Sequence, residues 1–134
     1  MFTLHPRLDA DCSPVGDLPL CRVLMLEDAS YPWLILVPRL PDMREIHGLC
    51  RAQQHQLIDE SSQVAQTMVA LFQPDKMNVA ALGNLVPQLH LHHVARFEAD
   101  PAWPGPVWGA APPLAYGDAE RDARLDALRS ALGI

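Results

Sequence analysis

The sequence has no basic stripe. Ten Lys and Arg stand against sixteen Asp and Glu, a formal charge of −6. That balance argues against sequence-independent binding to nucleic acid or to an anionic membrane surface. It leaves room for a small anionic ligand at a locally positive site. Long hydrophobic runs are also missing. The longest, Trp33 to Val37, is far too short to span a bilayer. No basic region followed by an apolar run opens the chain, so no signal peptide is expected. A reducing, cytoplasmic location is the resulting expectation. Cysteine is scarce: Cys12, Cys21 and Cys50 are the only three. They are odd in number and not spaced as zinc ligands. Only His5 with Cys12 and Cys21 approaches a metal set, and buried or incidental thiols fit better. No internal repeat is present.

What remains is the composition of one globular domain of 134 residues, 49% apolar and 19% charged, long enough to bury a core without disulfides. Residues 1–20 read as an irregular N-terminal extension, with "FTLH" a candidate short strand. "CRVLML" (Cys21–Leu26) reads as a strand, "EDAS" as a turn, and "YPWLILVP" as a second strand covered on both faces. Residues 39–49 form a connector. From about residue 50 to 72, Leu57, Ile58, Val64, Met68 and Leu71 recur at helical spacing among glutamines, and Pro74 marks the end, which predicts one long amphipathic helix. "KMNVAAL" fits a strand, Gly83-Asn84 a turn, and residues 85–97 a further strand. A Pro- and Trp-rich segment follows over residues 99–117. Residues 118–134 then predict a C-terminal helix, with Asp118 as N-cap and Leu125, Leu128 and Leu132 as its buried stripe. The class is α+β: an antiparallel β-sheet of about five strands, one long amphipathic helix and a C-terminal helix.

The stretch "QLHLHHV" holds three of the six histidines within four positions. On a strand, side chains two apart share a face. Gln88, His90 and His92 therefore point one way, and Leu89, Leu91 and His93 the other, with same-face neighbours roughly 6.5–7 Å apart. His93 is expected to be a hydrogen-bonded histidine of the core. The pair His90 and His92 has three readings. A metal site would need a third ligand, and none is adjacent. A solvated polar strand face is the plain alternative. The third is phosphoryl chemistry, in which one neutral imidazole attacks phosphorus while the other handles charge or a proton. Gly83-Asn84, just before the strand, can bring backbone and amide donors to a phosphate. Asn78 is a further polar candidate.

On these residues the sequence resembles the histidine triad (HIT) superfamily of nucleotide-binding hydrolases and transferases. The resemblance runs from about Cys21 to Trp108. It is carried by the hairpin, the apolar strand ending in "VPR", the long helix, and "NVAALGNLVPQLHLHHV". It implies that His90 is the nucleophile forming a nucleotidyl-histidine, and that His92 contacts phosphate and assists the leaving group. It also implies that Asn78, Gly83, Asn84 and Gln88 line the nucleotide and phosphate site. Gln88 stands where the family has its first triad histidine; glutamine can donate and accept but cannot ionise. Pro41 stands where a fourth histidine is usual; Arg39 and His47 read as a solvated arginine and a connector histidine, with a substitute positive group as the alternative. The resemblance implies a HIT-type hydrolase or nucleotidyl transferase acting at the α-phosphate of a nucleoside phosphate conjugate or dinucleoside polyphosphate. It requires neither cofactor nor metal, and it implies a homodimer. Two alternatives are a non-catalytic nucleotide-binding or regulatory module and a ligand-free interaction domain. Trp103 and Trp108 are read equally as surface anchors or as covers over the chain's own core.

Overall fold

A computed structural model describes residues 1–134. Helix α1 (Pro6–Asp11) precedes strands β1 (Cys12–Asp17), β2 (Cys21–Leu26) and β3 (Trp33–Pro38). A short 3₁₀ turn (Ile46–Gly48) leads into helix α2 (Arg51–Phe72), followed by β4 (Lys76–Ala80), β5 (Leu91–Arg96) and helix α3 (Asp118–Leu132). The five strands form one sheet in the order β1-β2-β3-β5-β4, antiparallel at every pairing. The expected α+β class and strand number are both present. Residues 1–20 are not an irregular extension: they supply α1 and the edge strand β1. "FTLH" forms no strand, and His5 instead caps α1, its Nδ1 accepting from the Arg7 amide at 3.1 Å.

The central strand β3 buries all six residues, as a run apolar on both faces requires. Leu34 and Leu36 face α2 and α3, while Trp33, Ile35 and Val37 face a second, smaller core closed by Leu8, Val86 and Val107. This two-sided sheet is what positions the site. Alternation in β5 sends Leu91, His93 and Ala95 to the helical side, and His92, Val94 and Arg96 to the other.

Leu57, Val64 and Met68 of α2 are buried as the helical spacing predicts, but Ile58 and Leu71 are exposed. Glu60 and Ser61 take up buried space instead because the sheet offers them partners. Glu60 accepts from the Leu20 and Cys21 amides at 2.9 and 2.8 Å. Ser61 Oγ lies 2.7 Å from His93 Nε2. The helix stops at Gln73, whose φ of 50° is left-handed, immediately before Pro74. In α3 the N-cap is Gly117. Asp118 is the first helical residue, and its carboxylate accepts from Arg121 at 3.0 Å rather than capping the backbone.

Candidate active site

Only Leu91–Arg96 of the residues 85–97 expected as a strand pair in the sheet. The preceding segment 81–90 forms a turn and an irregular approach, with Pro87 unable to donate to a ladder. Gly83 sits at φ 78°, in the left-handed region that glycine enters without strain. The faces survive this change. Leu89 and Leu91 enter the helical core, while the rings of His90 and His92 meet edge-on with centroids 4.9 Å apart.

Each imidazole is held by a different kind of partner. His90 Nδ1 lies 2.7 Å from the Gln88 carbonyl oxygen. A carbonyl only accepts, so Nδ1 carries the proton and the neutral ring keeps its lone pair on Nε2. His92 Nδ1 accepts from the Trp33 indole N–H at 3.0 Å. An indole only donates, so the proton of His92 is on Nε2. The two rings therefore offer opposite groups at Nε2, a lone pair from His90 and an N–H from His92. Neither Nε2 has a partner in the protein, and neither is sealed from solvent. Burial, then the neighbouring His90 and His93, push the His92 pKa down to about 3. The Trp33 bond acts in the same direction, because a second proton would have to displace it. His93 behaves as the sequence suggested. It is fully buried, donates from Nδ1 to the Leu91 carbonyl at 3.1 Å, and accepts from Ser61. Burial lowers its pKa to about 4.

His90 and His92 share a cavity of about 440 Å³ with Gly83, Asn84, Trp33 and Trp108, walled on its apolar side by Leu8, Leu26 and Val86. That size suits a small ligand. The Asn84 side chain makes no hydrogen bond within the protein and is free to donate. A second cavity of about 430 Å³ shares Leu82, Gly83 and His90 with the first, and is lined otherwise by Arg44, Glu45, His47, Gln54 and Gln88 together with Ile46, Ala81 and Leu89.

Two residues depart from their expected places. Asn78 lies on the correct face of the sheet but lines neither cavity, because its Oδ1 accepts from Arg96 at 2.7 Å. The Gln88 side chain turns away from His90, accepting from the His5 amide at 2.8 Å and donating to the Thr3 carbonyl at 2.9 Å. Its backbone carbonyl, rather than its amide, orients the neighbour. Arg39 is spent on the Leu18 and Pro19 carbonyls and lies 3.7 Å from Asp17, so it is no substitute for the fourth histidine. His47 does border the site.

Sequence reasoning missed Trp33, which reads as one more apolar strand residue until its N–H is seen against His92. It also missed Arg96. This buried guanidinium is bound by Asp100 at 2.8 Å, the Gly105 carbonyl at 2.8 Å and Asn78, with the Tyr31 and Trp103 rings beside it. Burial would raise the Asp100 pKa, but the Arg96 bonds and backbone amides overrule it and hold it near about 2. The clamp folds the Pro/Trp-rich segment back over the sheet and brings Trp108 to 5.3 Å from the His92 ring. Both tryptophans cover the chain's own structure.

The HIT domain family model matches residues 7–99. The chain is similar to the crystal structure of a histidine triad protein from Marinobacter aquaeolei VT8, with 51% identity, a TM-score of 0.97, and coverage of 99% of this chain and 97% of that one. A histidine triad protein from Bradyrhizobium japonicum has 50% identity and a TM-score of 0.96, over 98% of both chains. A histidine triad (HIT) protein from Sinorhizobium meliloti 1021 has 39% identity and a TM-score of 0.94, over 97% of this chain and 96% of that one. No curated protein matches the chain.

Proposed function

The chain belongs to the histidine triad family, and from that premise we propose that it is a nucleotide-binding hydrolase or nucleotidyl transferase with His90 as its nucleophile. The observation that carries this reading is the opposite tautomers that the hydrogen bonds impose on two imidazoles in one cavity. The apolar wall of Leu8, Leu26 and Val86 receives the nucleoside. The phosphate rests against the Gly83-Asn84 turn. His90 Nε2 attacks the α-phosphorus and forms a P–N bond as the bond to the leaving group breaks. The His92 Nε2–H and the Asn84 amide donate to the phosphoryl oxygens as their charge grows. Water, or another acceptor, then breaks the P–N bond and returns the electron pair to Nε2. The test is to incubate the protein and its His90→Ala variant with an AMP phosphoramidate or a dinucleoside polyphosphate. Loss of turnover in the variant supports the scheme, and equal turnover removes His90 from it.

The engagement of the Gln88 side chain by Thr3 and His5 favours one second reading, a nucleotide-binding module without turnover, since the first triad position then takes no part in chemistry. Calorimetric binding of AMP with no product from either substrate class would establish it. The assembly we propose is a homodimer. Strand β4 is an unpaired sheet edge with Val79 exposed, and Ile58 and Val69, three helical turns apart on α2, expose one apolar face.

A further inference from the structure

We propose that Trp33 is a positioning residue that fixes His92 as a neutral hydrogen-bond donor with no proton to give away. The site then favours substrates whose leaving group departs as an unprotonated oxyanion, a phosphoric anhydride rather than a phosphoramidate. The inference rests on His90 as nucleophile and adds the substrate class.

The Trp33 N–H lies 3.0 Å from His92 Nδ1 and can only donate. A second proton on His92 would place two N–H groups against each other across that distance. Trp33 cannot withdraw easily: it is buried on β3, and its ring is packed edge-on against Tyr31 at 6.0 Å and Trp108 at 5.9 Å. The other groups around His92 do not favour that second proton. His90 lies 4.9 Å away across the same face, and His93 is next along the strand. From α1, Arg7 and Asp11 line the same cavity but pair with each other at 3.4 Å. Arg96, further along the same face of β5, is bound to Asp100. The carboxylates that line the two cavities are Asp11, paired with Arg7, and Glu45, exposed on the connector beside Arg44 and His47. Gln88 does not ionise, and the Nδ1 proton of His90 is directed at a carbonyl. Only His47, exposed on the connector, borders the adjoining cavity as a further imidazole.

The consequences follow from where the electrons and protons go. As His90 Nε2 forms the P–N bond, the P–O bond to the leaving group breaks and its electron pair stays on oxygen. A phosphate oxyanion departs in that form, whereas an amine departs only once its nitrogen has gained a proton. His90 keeps its Nδ1 proton throughout, so the nucleotidyl-imidazole is cationic and is itself readily displaced by water, whose proton passes to solvent. His92 donates its hydrogen bond in both steps and retains its proton.

Two measurements test this on the full chain. The first needs no turnover: NMR of isotope-labelled imidazole nitrogens across a pH titration. In the unmodified protein His92 is expected as a single neutral ring protonated at Nε2, still neutral at about pH 5. In Trp33→Phe it should take up a second proton at higher pH or show mixed tautomers. A wild-type His92 protonated at Nδ1, or titrating near neutrality, overturns the assignment even if the variant fails to fold. The second is the ratio of kcat/KM for diadenosine triphosphate to that for an adenosine 5′-phosphoramidate of an alkylamine. Without a general acid, the anhydride should lead by roughly 10²–10⁴-fold. The ratio should be unchanged in His47→Ala and should narrow at mildly acidic pH in Trp33→Phe. Equal use of both substrates by the wild type, or a ratio that changes in His47→Ala but not in Trp33→Phe, overturns the preference. Turnover of neither substrate overturns the catalytic reading and with it the preference, while the NMR result still decides the role of Trp33.

Discussion

Two imidazoles two positions apart take opposite neutral tautomers because each Nδ1 meets a different partner. Strand alternation was enough to place His90 and His92 on one face, and to set His93 apart in the core. The tautomers were not legible, because a backbone carbonyl and an indole from another strand decide them. The same limit explains Asn78 and Arg39, whose polar ends are taken by groups distant in sequence. Removing the proposed nucleophile with His90→Ala should lower turnover on the order of 10³–10⁶-fold while AMP binding, read by calorimetry, persists; turnover within a few fold of the wild type would contradict its role. The buried pair His92 and His93 also sets the acid stability. Folded, they resist protonation down to about 3 and about 4, whereas an unfolded imidazole takes up its proton near 6.5. Their contribution is therefore fully present above 6.5 and is lost as pH falls below it, by about 2 kcal/mol per ring at about pH 5. Urea unfolding at stepped pH should show that decline; a flat stability between neutrality and about pH 5 would contradict the burial of these rings as neutral species.

Elements with strong periodicity were legible nearly to the residue: β2, the body of α2 and the leucine stripe of α3. Alternation throughout "LVPQLHLHHVARF" predicts a strand over residues 85–97, yet ladder pairing begins only at Leu91. Pro87 and the left-handed Gly83 break the approach, and that irregularity is what forms the Gly83-Asn84 turn proposed to hold the phosphate. Gly83→Ala must enter a left-handed conformation and should cost about 1–2 kcal/mol, weakening ligand binding further than it lowers stability in thermal shift. The Pro/Trp-rich segment had no readable structure because its anchor, Arg96, looks like an ordinary strand-end charge. Arg96→Ala leaves the buried Asp100 carboxylate unpaired and should destabilise the protein by about 3–5 kcal/mol, a loss measurable by denaturant unfolding. Should the cost fall below about 1 kcal/mol, as for an exposed ion pair, the clamp would not organise the segment.

At the scale of the whole molecule, one sheet separates two tasks. Its helical face carries the larger core, with α2 and α3 packed over β2, β3 and β5. Its other face, thinly covered by α1 and the clamped segment, holds the cavity shared by His90 and His92. This division was legible from the double-sided burial of "WLILVP", but the contribution of α1 was not, since six residues with Pro at the start give little periodicity. The unpaired β4 edge and the apolar outer face of α2 lead us to expect light scattering at twice the 14.8 kDa chain mass, and a monomer would count against the assembly. The most direct test of the account is mass spectrometry of the protein quenched in alkali during turnover of a dinucleoside polyphosphate. The prediction is a nucleoside monophosphate adduct on His90 that is absent from His90→Ala. Steady product formation with no adduct, or an adduct on any other residue, would contradict it.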